Sequence, residues 1–142
     1  MPLFQLMYMS ALRVVDVQTV FQIVDTAVRN NTRNGLTGMM LYADGSIVQV
    51  LEGEKASVQR TFNAILADPR HSGVQVLVEQ DIEARDFSEW SMGYQQMNAA
   101  DVAASPVLQN IFRANCSTLN HRVQPGEALT LLKSFAQGSA LH

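Results

Sequence analysis

The pattern of hydrophobic and polar residues near the start of the chain predicts a strand followed by an amphipathic helix. Residues 3–9 alternate weakly between apolar and polar positions, as a half-buried strand does. Apolar residues then recur at helical spacing over 17–32, so that they form one stripe along a helix. Asp16 is a suitable N-cap for this helix, and Gly35 can end it because glycine readily adopts a left-handed conformation.

The next segment has the pattern of a β-hairpin. Two apolar runs, 36–42 and 47–51, flank a short polar turn that contains Asp44 and Gly45. An Asp-Gly pair between two β-compatible runs is a strong hairpin signal. We expect Gly53 to close the second strand of this hairpin.

A second helix and further strands follow the hairpin. Residues 55–67 carry apolar side chains at helical spacing, and Asp68 with Pro69 ends that helix. Residues 74–82 alternate as a strand, and a short segment at 92–97 can add a fifth strand. The order β-α-β-β-α-β predicts an α+β fold, a ferredoxin-like sandwich.

The pattern changes after about residue 97. We divide the chain into a core domain, 1–97, and a C-terminal extension, 98–142, with two short amphipathic helices at 101–113 and 126–136. A four-stranded sheet of this type has helices on one face only, so its other face needs a cover. We expect the extension to pack there, with a dimer or larger homo-oligomer as the alternative use of its apolar positions.

Composition narrows the class of protein. The chain has 142 residues, of which 47% are hydrophobic and 16% charged, as expected for a folded globular protein. Its net charge is −3 and its ten basic residues are scattered, so we expect no nucleic-acid binding. We see no signal peptide and no apolar stretch near the ~20 residues needed to cross a bilayer. We therefore expect a cytoplasmic protein without a membrane segment.

Enzymatic motifs do not stand out. The sequence contains no nucleophile elbow, P-loop or zinc-protease motif. The three histidines, His71, His121 and His142, lack the spacing of metal ligands, so we expect no metal site. Cys116 and His121 could be paired as nucleophile and base, but a lone cysteine in a helical tail is more often inert. We therefore expect no enzymatic activity.

Polar side chains in the apolar strands are the unusual feature of the chain. Tyr8 lies in the first strand, and Gln49 shares a strand face with Ile47 and Leu51. If that face is the core, the amide of Gln49 must find hydrogen-bond partners there. Either residue alone can be an ordinary satisfied polar group of the core. Together they can instead hold a planar polar ligand between the two helices, and the spacing leaves both readings open.

The combination of motifs resembles the BLUF domain, a blue-light sensor that uses FAD. The resemblance covers residues 3–97 in the expected order, and the motifs together are far more specific than any one of them. The matching segments are 8–10 (YMS), 30–31 (NN), 34–38 (NGLTG), 41–42 (LY), 49–53 (QVLEG), 68–71 (DPRH) and 87–93 (FSEWSMG).

The resemblance implies that FAD binds between the two helices of the core. It implies that Tyr8 donates a hydrogen bond to Gln49, which in turn reaches the flavin, and that Asn31 binds the edge of the ring. The residues that it assigns to the cofactor site are Tyr8, Ser10, Ile23, Asn30, Asn31, Gln49, Ile65, Asp68, Arg70 and His71. Within this set, Ile23 and Ile65 match the pair that sandwiches the ring.

The resemblance also implies a mechanism. Under blue light Tyr8 gives up an electron and a proton, the radical pair then recombines, and the flavin returns to its oxidised state. The hydrogen bonds of Gln49 are left rearranged, which shifts the flavin absorption to longer wavelength. Trp90 and Met92 then relay the change through the fifth strand to the extension. We expect the signal to pass to another protein, since no effector domain follows the core.

Two other functions stay open at this point. A small ferredoxin-like hydrolase, similar to acylphosphatases, would need a backbone anion cradle beside an arginine, for which Arg70 is the candidate. A flavin-free interaction module that has lost its ligand is the second alternative. A yellow protein whose spectrum shifts under blue light would distinguish the photoreceptor from both.

Overall fold

The computed structural model describes residues 2–13, 16–43, 45–88, 93–96 and 100. Within these residues the chain forms five strands and two helices. In chain order they are β1 (Leu3–Leu12), α1 (Val17–Asn34), β2 (Thr37–Ala43), β3 (Ser46–Glu54), α2 (Lys55–Ala67), β4 (His71–Ile82) and β5 (Gly93–Gln96).

The strands form one sheet in the order β4-β1-β3-β2-β5. The first four strands pair antiparallel, and β5 pairs parallel with β2 at the edge. Strand β1 has β3 and β4 as its neighbours, so the chain crosses over the sheet through each helix. The predicted ferredoxin-like order is therefore confirmed.

Both ends of α1 follow the sequence signals. The Asp16 carboxylate accepts a hydrogen bond from the Thr19 N–H at 2.7 Å, which satisfies one of the donors left open in the first turn. Gly35 ends the helix in the left-handed region, at φ 71°. The prediction of 17–32 was two residues short, because the helix continues to the residue that precedes its glycine cap.

The strands also run further than their apolar patterns. Strand β1 continues to Leu12 and β4 begins at His71, because backbone pairing between the two strands extends past the alternating segment. Gly53 does not close β3, which ends at Glu54. A Cβ atom at Gly53 would overlap the side chain of buried Leu36, so close approach explains the glycine.

The sheet buries both of its faces. Alternate residues of the central strands pack against the helices, and they include Leu6, Tyr8, Met40, Ile47 and Leu51. The opposite face is equally buried, and it carries Met7, Met39, Val48, Val50 and Glu52. The predicted C-terminal helices and the boundary at residue 97 lie outside the described residues.

Glu52 is a buried carboxylate on the sheet face that points away from the helices. Its oxygens accept hydrogen bonds from the Gln5 amide at 2.7 Å and from the backbone N–H groups of Asp86 and Phe87, at 2.9 and 2.8 Å. Burial raises the pKa of this carboxyl, which the hydrogen bonds partly offset. The segment after β4 is therefore fixed to the centre of the sheet.

Arg85 fastens the same segment at a second point. Its guanidinium donates to the carbonyl oxygen of Gly35 at 2.9 Å, to that of Glu52 at 3.2 Å, and to Thr37 Oγ1 at 2.9 Å. These acceptors belong to the end of α1, to β3 and to β2. Arg85 thus connects the segment after β4 to three other elements.

Replacing Glu52 with methionine should destabilise the protein by roughly 2–4 kcal/mol, because the backbone N–H groups of Asp86 and Phe87 lose their acceptor. The Gln5 amide also loses one of its two acceptors and keeps the Asp86 carboxylate at 2.9 Å. Urea denaturation measures the change in the free energy of unfolding. Glu54→Met is the matched control, since Glu54 is exposed at the end of the same strand. Equal stability of the two variants would show that the Glu52 hydrogen bonds contribute nothing net.

Candidate functional site: a polar cleft between the helices

A cleft of about 260 Å³ opens between α1 and α2 above the sheet. This volume is close to the lower end of the roughly 300–1,000 Å³ typical of small-molecule sites. Eight of the ten cofactor residues proposed from the sequence line it, namely Ile23, Asn30, Asn31, Gln49, Ile65, Asp68, Arg70 and His71.

Tyr8 and Gln49 form the inner end of the site. They are directly opposite each other across the β1–β3 pair, so their side chains lie on the same face of the sheet. The Tyr8 hydroxyl donates a hydrogen bond to Gln49 Oε1. Tyr8 is fully buried and Gln49 is 2% exposed. Burial raises the pKa of the Tyr8 phenol well above its usual range. Tyr8 is therefore neutral and acts as a donor.

Two buried amides meet the cleft from different elements. Gln49 approaches from β3 and Asn31 from α1, and Asn31 is 1% exposed. An amide side chain has both donor and acceptor atoms, so this pair can match a ligand edge that alternates the two. Such an edge is typical of a heterocycle with carbonyl and ring N–H groups.

Tyr8 and Ser10 stand behind the lining rather than in it. The Ser10 hydroxyl lies 2.7 Å from His71 Nδ1, and His71 in turn faces the cleft. The Tyr8 ring packs against Phe62 at 5.5 Å and against the edge of His71 at 6.3 Å between ring centroids. These contacts hold the phenol in one orientation beside Gln49.

Asp68 and Arg70 form an ion pair at the side of the cleft. The guanidinium donates to both carboxylate oxygens, at 2.7 to 3.1 Å, and the Arg70 N–H donates to Asp68 at 2.9 Å. The Arg70 hydrogen bond is the main reason that the pKa of the Asp68 carboxyl is lowered. A hydrolase that used Arg70 to hold an anion would first have to break this pair.

The walls of the cleft are formed by α1 and α2, and they include both expected and additional residues. Ile23 and Ile65 lie on opposite helices, as the resemblance implies for the pair that sandwiches a ring. The cleft is also lined by Thr26, Ala27, Arg33, Asn34, Arg60, Thr61 and Ala64. Helical spacing from Ile23 on α1 and from Ile65 on α2 is the signal that could have located most of them.

The described residues fit a flavin ring. Ile23 and Ile65 offer apolar surface on two sides, and Gln49 with Asn31 offers amide groups at the inner end. Trp90 and Met92 lie outside the described residues, so their role as a relay stays a prediction. Within the described residues, no helix is long and apolar enough to cross a membrane.

Comparison with known proteins agrees with this geometry. A family model described as BLUF, sensors of blue-light using FAD, matches residues 3–93. The chain is 32% identical over 102 residues to photoactivated adenylate cyclase subunit beta-like protein FB of Euglena gracilis, a match that covers 71% of this chain and 12% of that protein. The chain thus matches only about an eighth of that relative's length.

Solved structures of similar size give the same result. The dark-state structure of the BLUF protein BlrB superposes with a TM-score of 0.72 at 28% identity, over 96% of both chains. The photo-activated state of BlsA superposes with a TM-score of 0.73 at 26% identity, over 94% of both chains. Since the family model matches well over half of the sequence and the fold agrees, this protein belongs to the BLUF family of blue-light sensors that use FAD.

Proposed function

We propose that the Tyr8–Gln49 hydrogen bond is the light-responsive element of this sensor, and that FAD is held in the cleft between α1 and α2. The observation that carries the proposal is the burial of this bonded pair at the inner end of the cleft. When bound, FAD supplies the absorption of blue light and, once excited, an acceptor for an electron. The remaining steps depend on side chains of the chain itself.

Tyr8 is suited to give up an electron and a proton together. Its raised pKa means that the hydroxyl does not lose its proton alone, whereas a phenol that has lost an electron is a much stronger acid. The hydroxyl already points at Gln49 Oε1, so the proton has an acceptor within hydrogen-bond reach. No movement of the backbone is needed for this transfer, or for the return of the electron and the proton, after which Tyr8 is again a neutral phenol.

Gln49 is suited to keep a changed set of hydrogen bonds after the light reaction. Reversal of its amide, by rotation or tautomerisation, exchanges the donor and acceptor ends with almost no change in volume. Its neighbours Ile47 and Leu51 are fully buried, and a close-packed core resists larger movements. After reversal by rotation, Tyr8 would face the amide NH₂ and accept a hydrogen bond instead of donating one. The site therefore has two hydrogen-bond patterns within one packing arrangement.

The output is proposed to be contact with another protein. The register of the sheet pairs Gln49 with Met40, and Met40 with Tyr94 of β5, so a line of paired residues runs from the switch to the sheet edge. BLUF relatives include a bacterial light-regulated adenylyl cyclase, of which this chain covers 41%. The identity of the partner, the cytoplasmic location and the homo-oligomer stay predictions.

Replacing Tyr8 with phenylalanine should abolish the light-induced redshift of the bound flavin, because the electron and proton donor is lost. A difference spectrum before and after blue light measures it. Tyr42→Phe is the matched control, since Tyr42 is buried in the same helix-side core. A full redshift in Tyr8→Phe would end the donor role of Tyr8.

Gln49→Leu should bind flavin but show no stable redshift, since leucine has no donor and acceptor to exchange. Flavin content after purification separates loss of the cofactor from loss of the switch. Retention of the redshift by flavin-loaded Gln49→Leu would contradict the proposal for this residue.

His71 should make the stability of the protein depend on pH. Burial is the main reason that the pKa of its imidazole is lowered. The charge of Asp68 raises this pKa, and the charge of Arg70 lowers it further. The unfolded chain then binds more protons than the native state, so the free energy of unfolding should fall as the pH drops below about 6.5. The dependence should be weaker in His71→Gln.

Urea denaturation of both proteins between pH 8 and pH 5 tests this prediction. Asp68 stays ionised throughout this range because its pKa is lowered, and Glu52 titrates in wild type and variant alike, so the difference between the two curves reports His71. Parallel curves would mean that the native imidazole is protonated as easily as in the unfolded chain.

A further inference from the structure

Positive charge collects around the cleft although the whole chain is acidic. The net charge of the protein is −3. Among the described residues that line the cleft, Arg33, Arg60 and Arg70 carry positive charge, and Asp68 is the single carboxylate. Because Asp68 pairs with Arg70, two arginines remain without a compensating anion there.

Arg33 and Arg60 lie on opposite helices and are both exposed. Arg33 donates to Asn30 Oδ1 at 2.7 Å, and Arg60 donates to Ser57 Oγ at 3.1 Å. In the part of the chain that the structure describes, neither forms an ion pair. A guanidinium has five N–H donors, so most of the hydrogen-bonding capacity of each side chain is available for a ligand.

The helix dipole accounts for the position of Arg33 but not for that of Arg60. Arg33 lies in the last turn of α1, where a cation interacts favourably with the helix dipole. Arg60 lies in the N-terminal half of α2, where the dipole offers no such stabilisation. Its position on the cleft therefore points to an anionic ligand rather than to the helix itself.

We propose that Arg33 and Arg60 bind the phosphate of the flavin nucleotide from opposite sides and so select FMN and FAD over riboflavin. This proposal rests on the flavin site proposed above. Gln49 and Asn31 are buried while both arginines are exposed, so a ring held at the inner end leaves its substituent chain to run outward between them. Guanidinium groups match phosphate oxygens well in charge and geometry.

Competition between flavins tests the selection without using the light reaction. The full chain is equilibrated with equal concentrations of riboflavin and FMN, and then with riboflavin and FAD. The bound flavin is released and its composition measured by chromatography. Wild type should favour the phosphorylated flavins by about tenfold, a preference of the size expected from charge-assisted hydrogen bonds. High salt should reduce this preference because it screens exposed charges.

Three variants and one control complete the experiment. Arg33→Gln and Arg60→Gln should each lower the preference, and the double variant should bring the ratio to about one. Arg29→Gln is the control, since Arg29 is exposed on α1 but pairs with Asp25 at 3.2 Å and does not line the cleft.

The outcomes separate this proposal from the flavin site itself. A double variant that keeps the wild-type ratio, or an equal fall in Arg29→Gln, would overturn the role of the two arginines and leave the flavin site intact. Wild type that binds none of the three flavins would overturn both proposals.

Discussion

One buried hydrogen bond between a phenol and an amide sets the conditions for the rest of the structure. An amide inside a packed sheet must be fully hydrogen-bonded, because an unsatisfied polar group there costs on the order of 1–3 kcal/mol. Tyr8 meets one part of that requirement, and its own burial keeps it protonated. The sheet is therefore stable with a polar group at its centre, provided that the cleft beside it is also polar.

The alternation of side chains along β3 places two buried polar residues on opposite faces of the sheet. Gln49 points to the helices and to the cleft, whereas Glu52, three residues later, points to the opposite face. Gln49 is the group proposed to exchange its hydrogen bonds, whereas Glu52 is held by three donors in a fixed arrangement. A fixed carboxylate and the proposed reversible amide thus share one strand, on opposite sides of the sheet.

Local patterns in the sequence predict the order of elements well. The cap at Asp16, the glycine at 35 and the hairpin turn at Gly45 have local causes, so they could be derived from neighbouring residues alone. Strand lengths could not, since backbone pairing between β1 and β4 continues where the apolar pattern stops. Gly53 was misread because its cause is the buried side chain of Leu36, which is distant in sequence.

The candidate site was predicted less evenly. The strand pattern placed Gln49 on one face with Ile47 and Leu51, so its burial followed only on the condition that this face is the core. The pairing with Tyr8 came from the resemblance, because cross-strand register is not visible in spacing alone. Arg60 was missed, as an exposed arginine on a helix looks like any solvated residue until the opposite wall is known. The Asp68–Arg70 pair shows the converse, since a residue assigned to the ligand is largely engaged by its neighbour.

The two edge strands of this sheet, β4 and β5, differ in the extent of their pairing. On one side β4 is twelve residues long and pairs with β1 along most of its length, while on the other side the described part of β5 has four residues. A ladder of four residues has few backbone hydrogen bonds, so its release costs far less free energy than opening the long border. If one strand leaves this sheet while the remainder stays folded, we expect it to be the edge strand β5.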